Sequence, residues 1–338
     1  MSRVKLGDVA QEYKATVKDC SNLPIVGLEH LTPGEITLER WDEGTENTFT
    51  KGFKKGQMLF GRRRAYLKKA AVAPFDGVCS GDITVIEAIP GKILPELLPF
   101  IIQNDLLFDY AVGKSAGSLS PRVKWVDLKD YEFELPEIEK QASLVDLLKA
   151  AHATRKAYQE QIKATDDLVK SQFIEMFGDP NNNANTVSFE TAFTIRDDLR
   201  KPINDSVRSE MHENAMYPYY GANGQVDTIN QYLMDCTALC LAEDCGAYGA
   251  GEASSYIVSG KCWVNNHAHV IIPKECCDLH YANAFFKILD MTPYVSGSTR
   301  LKLTQGKMKE IPVVLPSIGE QMKFAAIVEQ SDKSKFVV

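Results

Sequence analysis

Leu135-Pro136-Glu137-Ile138-Glu139-Lys140-Gln141 recurs as Leu315-Pro316-Ser317-Ile318-Gly319-Glu320-Gln321, a shift of 180 positions without a gap. Counting back at the same shift, Lys129 meets Lys309, Gly117 meets Gly297 and Ser118 meets Ser298. A unit of this size is too long for a solenoid repeat and about right for a duplicated domain. The chain of 338 residues has room for two such copies, each able to bury its own core. A duplicated module usually presents two similar surfaces to something with two sites.

Composition places the chain among globular proteins, with 44% hydrophobic and 25% charged residues. No apolar run approaches the length of a membrane span, and Met1-Ser2-Arg3-Val4-Lys5 leads into polar sequence. Cytoplasmic residence and reduced thiols are the expectation for such a chain. Cys236, Cys240, Cys245 and Cys262, with His267 and His269, invite a zinc reading. They contain no Cys-x-x-Cys pair, so a metal centre is the weaker expectation and buried thiols the stronger.

The net charge of −7 argues mildly against nucleic acid, but binding depends on where charge sits. Between residues 51 and 70 there are eight basic residues and no acidic one: Lys51, Lys54, Lys55, Arg62, Arg63, Arg64, Lys68 and Lys69. One face on phosphates, with the remainder acidic, is the arrangement this polarity suggests.

Along the chain, residues 57–60 and 83–86 read as strands and residues 94–110 as a helix. Residues 137–177 contain no Gly or Pro and are rich in Ala, Leu, Lys, Glu and Gln, which predicts one long helix. At 1.5 Å per residue it would run roughly 60 Å. Its apolar stripe follows Ile138, Ala142, Val145, Leu148, Tyr158, Ile162, Thr165, Val169, Phe173 and Met176, weakened by the polar segment 152–156. Gly178-Asp179-Pro180 ends it. Residues 217–224 read as a turn-rich aromatic loop, residues 238–242 and 269–272 as strands, and residues 281–289 as a helix. From Ile318 and Met322 onward the stripe begins again.

Two variable modules, each ending in Leu-Pro-x-Ile-x-x-Gln and leading into a long helix, resemble a type I restriction-modification specificity subunit. Supporting runs are residues 55–67, Asn265-Asn266-His267-Ala268-His269-Val270-Ile271, and Gly297-Ser298-Thr299-Arg300-Leu301. The resemblance implies an α+β chain of two tandem mixed α/β target recognition domains, residues 1–136 and 179–316. Coiled-coil spacers would occupy residues 137–178 and 317–338, the second being shorter than the family pattern. That shortening leaves open self-association, an inactive cassette product, or a scaffold that binds modification subunits without reading DNA.

The resemblance further implies a non-catalytic subunit whose partners are double-stranded DNA, modification (methyltransferase) subunits and a restriction/translocase subunit. No cofactor is expected in this chain; S-adenosylmethionine, ATP and Mg would reside in the partners. The sequence itself carries no Asn/Asp-Pro-Pro-aromatic motif, no Walker A loop and no nucleophile elbow.

In the first module the eight basic residues with Tyr66 are the DNA candidates, because Arg can fork onto guanine and Lys suits phosphate. The second lacks such a patch. Its candidates are Tyr219, Tyr220, Asn223, Tyr248, Ser254, Ser255, Asn265, Asn266 and His267, with Arg300 and Lys302 for phosphate. Glu243 and Asp244 could accept from cytosine N4, although carboxylates near DNA usually cost affinity. Subunit contacts are expected from Ile138, Val145, Leu148, Tyr158, Ile162, Val169, Phe173, Ile318 and Met322.

Overall fold

The computed structural model describes residues 2–18, 20, 22–43, 48–244, 246–252, 254–297 and 300–336. Cys245, Ser298 and Thr299 lie outside the described residues. The chain is α+β and divides into two compact units, Met1–Lys156 and Ala157–Val338. The division falls inside one continuous helix, Ile138–Phe177.

The first unit is built on a four-stranded antiparallel sheet in the order Ala10–Glu12, Ile83–Ala88, Met58–Gly61, Ala70–Val72. Its central strands are apolar on both faces, with Met58, Leu59, Phe60, Ile83, Val85 and Ile86 buried. One face feeds a core with Leu97, Leu107, Phe108 and Val145, and the other a core with Val26, Leu31 and Phe53. A three-stranded sheet has Gly77–Cys79 at its centre, parallel to Ile25–Val26 and antiparallel to Lys51–Phe53. Ser2–Lys5 pairs with Glu132–Leu135 and closes the module's ends together.

The second unit repeats this plan. Its main sheet runs Phe193–Ile195, Ala268–Pro273, Ala238–Ala242, Ser255–Val258, all antiparallel. Tyr217–Gly221 lies parallel to Lys261–Val264, which pairs antiparallel with Met234–Asp235. Thr186–Val187 and Val313–Val314 form the closing pair. The addition is a strand, Gly224–Ile229, paired with Tyr217–Gly221. Residues 217–224, expected as a loop, are therefore strand and tight turn. Pro218 and the glycines suggested irregularity, whereas alternate burial of Tyr219 and Gly221 is what a strand requires.

The expected helix near residue 100 is two helices, Leu98–Ile102 and Asp105–Lys114. Asn104 separates them: its side chain accepts from the Leu106 N–H at 2.9 Å and caps the second helix, a competition that apolar spacing does not report. The long helix ends where Gly178 takes φ +85°, and Asn183 Nδ2 donates to the freed Phe177 carbonyl at 2.6 Å.

The duplicated Leu-Pro-x-Ile-x-x-Gln motif has a structural cause. Gln141 is buried, accepts from the Leu94 N–H at 2.8 Å and donates to the Pro136 carbonyl at 2.9 Å. Gln321 is buried likewise, accepts from the Asp278 N–H at 2.8 Å and donates to the carbonyls of Pro316 (2.7 Å) and Cys276 (2.9 Å). Each glutamine thus ties the first turn of a helix to the loop ahead of the module's own helix. Removing the amide strands three backbone groups at Gln321, each costing about 1–3 kcal/mol when unsatisfied and buried. Gln321→Leu is expected to lower the unfolding free energy of the second unit by about 3 kcal/mol, read by denaturant unfolding of Trp263 fluorescence. A change below about 0.5 kcal/mol would show that water replaces the amide.

The apolar stripe of the long helix follows its expected course through Val145, Leu148, Tyr158, Val169, Phe173 and Met176, but departs from it at its start. Gln141 and Val145 are buried with Leu144 and Leu148 beside them, while Ile138 and Ala142 are exposed. The polar middle is occupied: Arg155 donates to the Gly34 carbonyl at 2.6 Å, and Lys156 pairs with Glu35 and Glu39. In the second unit Phe173 is fully buried against Tyr281, Phe285 and Phe324, with Val169, Met176 and Phe177 packed on the same core. The helix Ile318–Phe336 lies against this segment, with Val328 on the same core and Lys335 paired to Asp166 at 2.6 Å.

Val145 and Phe173, expected at subunit contacts, are therefore core residues of their own units. Leu148, Tyr158 and Val169 are half-buried; Ile138, Ile162, Ile318 and Met322 remain exposed. Among the described residues no helix is long and apolar enough to cross a membrane.

Candidate nucleic-acid interface

In the first unit a corner rich in charged side chains forms where the strand Met58–Gly61 ends. The Arg62 N–H donates to the Asp82 carbonyl at 2.9 Å, and the Arg62 carbonyl accepts from the Val123 N–H at 3.0 Å. A short hairpin then stands on this corner. Ala116 and Arg122 exchange backbone hydrogen bonds at 3.0 and 2.9 Å around Gly117, whose φ of +114° only glycine adopts easily. Arg64 and Lys68 bracket a short turn with left-handed backbones of φ +53° and +51°.

The side chains converge on one carboxylate. Arg122 forks onto Asp82, Nε to Oδ1 at 2.6 Å and Nη2 to Oδ2 at 3.2 Å. Arg63 Nη1 lies 3.5 Å from Asp82 Oδ2, and its Nη2 donates to Ser120 Oγ at 3.1 Å. The Arg122 guanidinium holds the Asp82 carboxyl below its ordinary value. Arg64 and Tyr66 are exposed beside this cluster, and Leu119 stands almost fully exposed at the hairpin tip.

The eight basic residues of segment 51–70 do not form one patch. Lys51 Nζ donates to the Ile83 carbonyl at 2.8 Å and pairs with Glu12, Lys69 Nζ donates to the Leu28 carbonyl at 2.7 Å, and Lys68 pairs with Asp105 at 2.6 Å. Lys54 and Lys55 are exposed at the turn after Lys51–Phe53. What the structure gathers is Arg62, Arg63 and Arg122, with Arg64 adjoining.

The second unit builds the same corner from different residues. The Glu243 N–H donates to the His267 carbonyl at 2.8 Å, its carbonyl accepts from the Leu303 N–H at 2.7 Å, and Ser296 and Lys302 exchange bonds at 3.0 and 2.8 Å around Gly297. Asp244 accepts from His267 Nδ1 at 2.7 Å and pairs with Arg300 at 2.8 Å. Glu243 holds Lys302 at 2.9 Å and Arg200. Burial by itself pushes Glu243 up, but Lys302 and Arg200 outweigh it and leave the carboxyl below its ordinary value.

Beneath lies His269, fully buried, its Nδ1 at 2.8 Å from Asp197 Oδ2 and its Nε2 at 2.9 Å from the Leu303 carbonyl. Asp197, pushed up by burial, is held below its ordinary value by His269 and Arg200.

Several sequence candidates have structural roles instead. Tyr219 is buried with Met211, Ile229 and Trp263, and Tyr220 is half-buried and stacked on Tyr256 at 5.6 Å. Tyr248, Ser254 and Ser255 are buried too. Asn265 is buried and uses its Oδ1 to accept from the His267 N–H at 2.8 Å, which shapes the turn. Asn223, Asn266, Arg300 and Lys302 are exposed, and His267 is half-exposed. Alternation along a strand turns half of such residues inward, and the register is a property of the folded sheet.

The zinc reading finds no geometry, since no group of three or more metal-ligating side chains comes together among the described residues. Burial pushes the Cys262 thiol up to about 11. His267 and His269 are committed to Asp244 and Asp197.

Arg122, Asp82 and Arg200 escaped sequence reasoning. A signal for Arg122 existed, because it stands 180 positions before Lys302. No comparable signal marks Asp82 or Arg200.

Residues 199–336 match the family model for the type I restriction modification DNA specificity domain. The matched residues lie in the second unit and are similar to the DNA specificity domain of type I restriction-modification systems. A putative type I restriction enzyme specificity subunit of Haemophilus influenzae is 30% identical over 138 residues, 40% of this chain and 34% of that protein. The specificity subunit of the type I restriction enzyme EcoDI of Escherichia coli is 24% identical over 168 residues, 47% of this chain and 35% of that one. The matched stretch thus spans about a third of these curated relatives. The crystal structure of a type I specificity subunit from M. genitalium superposes over 99% of this chain and 90% of that chain, with TM-score 0.52 and 13% identity. That likeness shows a shared fold.

Proposed function

We propose that this chain is a type I restriction-modification specificity subunit, which recognises double-stranded DNA for its complex and makes or breaks no bond itself. Residues 1–136 and 179–316 act as target recognition domains, each reading one half of a bipartite duplex target. Residues 137–178 and 317–338 act as spacers that modification subunits grip. Those subunits bring S-adenosylmethionine to adenine, and a restriction/translocase subunit brings ATP and Mg chemistry.

The observation that carries this reading is the repeated corner. Two units that place different side chains at this corner keep one backbone arrangement there, a glycine-turned hairpin standing on two strand ends. Both load it with cations that carboxylates hold in fixed orientations. Such a rigid, charged and partly exposed surface suits groove contact, where cations on the backbone set position and forked donors on base edges set sequence. Lys54, Lys55, Arg62, Arg63, Arg64, Tyr66 and Arg122 are the contacts proposed in the first unit. Asn223, Asn266, His267, Arg300 and Lys302 are those proposed in the second.

Methylation sequencing of the source genome with and without this gene tests the function. The expected result is loss of one bipartite adenine-methylation motif on deletion and its return on complementation. An unchanged methylome in a strain with functional modification subunits would reject DNA recognition, leaving a scaffold that binds those subunits without reading sequence.

A further inference from the structure

The two corners differ in one systematic way. Asp82 immediately precedes the strand Ile83–Ala88, and Arg63 follows the strand Met58–Gly61 by two positions. In the second unit the same two places, fixed by the same backbone bonds, are His267 and Asp244. The Arg63–Asp82 pair at 3.5 Å has become an Asp244–His267 pair at 2.7 Å, so the acid has moved to the neighbouring strand end and its basic partner has taken its place. The acid–base contact across the corner is kept under such an exchange. What changes is which basic side chains are held, and from which side. Asp82 holds Arg63 and the fork of Arg122; Asp244 holds His267 and Arg300.

We propose that Asp82 and Asp244 are positioning residues for DNA recognition, each aiming the cations around it at base edges, and that the exchange makes the two units prefer different half-sites. The inference rests on the DNA-recognition reading above. A carboxylate on a DNA-facing surface costs affinity through repulsion of phosphate, so a bystander acid should improve binding when neutralised. Both acids are largely covered by the cations they hold, their side chains retaining 19% and 13% exposure. A long cation left unanchored loses the fixed geometry that bidentate contact needs.

The test uses the full chain reconstituted with its modification subunits and a duplex library carrying a randomised bipartite window. Wild-type protein first selects its preferred duplex. Affinity for that duplex and for a scrambled one is then measured with Asp82→Asn, Asp244→Asn and Arg122→Lys, each checked for an unchanged thermal midpoint. Arg122→Lys keeps the charge and removes the fork, which serves if Asp82→Asn fails to fold.

The expected result for Asp82→Asn and Arg122→Lys is at least a tenfold loss on the selected duplex, with binding to the scrambled duplex equal or tighter. Reselection would then show information lost in one half-site only, and Asp244→Asn would lose it in the other. Folded variants that bind the selected duplex as tightly as wild type, with the same motif, overturn the inference and leave the function standing. A wild-type complex that selects no motif at all overturns the DNA-recognition reading, and this one with it.

Discussion

Changing Arg62, Arg63 and Arg122 together to alanine is expected to weaken binding of the reconstituted complex to its target duplex by about 100-fold or more near physiological salt. The magnitude follows from the kinds of contact available. A guanidinium forked onto a base is worth about 1–3 kcal/mol, and each lost phosphate contact lowers the slope of log affinity against log salt by about 1. Three cations removed from one corner should flatten that slope by roughly 2–3. The substitution also leaves Asp82 without the arginines that hold it, which adds repulsion. Lys51→Ala is the informative control. Its ammonium is committed to the Ile83 carbonyl and Glu12, so its loss should change stability and leave the salt slope within about 0.3 of wild type. Equal slopes for wild type and the triple variant would remove this corner from the DNA surface.

Replacing Phe173 by alanine is expected to have the largest effect on stability. Its ring is fully buried and meets Phe177, Tyr281, Phe285 and Phe324 at centroid distances of 5.2, 5.9, 6.1 and 5.3 Å. Truncating a buried phenylalanine costs about 3–5 kcal/mol, part in lost transfer energy and part in the cavity left behind. Here the cavity opens between three helices, Ile138–Phe177, Leu279–Ile288 and Ile318–Phe336, each of which contributes rings to this cluster. Phe173→Leu should retain most of the volume and cost about 1.5 kcal/mol. Denaturant unfolding followed by Trp263 fluorescence reads both. A loss below about 1 kcal/mol for the alanine variant would mean that the rings close over the gap.

Much of the architecture was legible from the repeat. Strands at residues 58–61, 83–88, 238–242 and 268–273 and the uninterrupted helix from 138 to 177 follow from apolar runs and from the absence of Gly and Pro. The site was far less legible. Segment 51–70 holds eight basic residues, yet three of their ammonium groups turn to Ile83, Leu28 and Asp105. In the second unit Tyr219 and Asn265 carry the right chemistry for DNA and are buried. Arg200, never singled out, holds Glu243. A lysine that caps a carbonyl and one that faces phosphate look alike in one dimension, because the difference lies in which distant backbone the fold brings within 3 Å.

By itself the sequence determined that a module is duplicated, that a glutamine recurs where each helix begins, and that a long helix follows the first copy. These are local or periodic properties, set by propensity and by spacing along the chain. Only the tertiary structure decided that Gln141 and Leu144 replace Ile138 and Ala142 at the start of the helix stripe, and that Arg63 and Arg122 converge on Asp82. It alone revealed that the acid and the basic side chain of this corner change places in the second unit. Residues 63, 82 and 122 are separated by 19 and 40 positions, and nothing in their neighbours records the meeting. Strand register and hairpin closure bring them together, and those are set by the core as a whole.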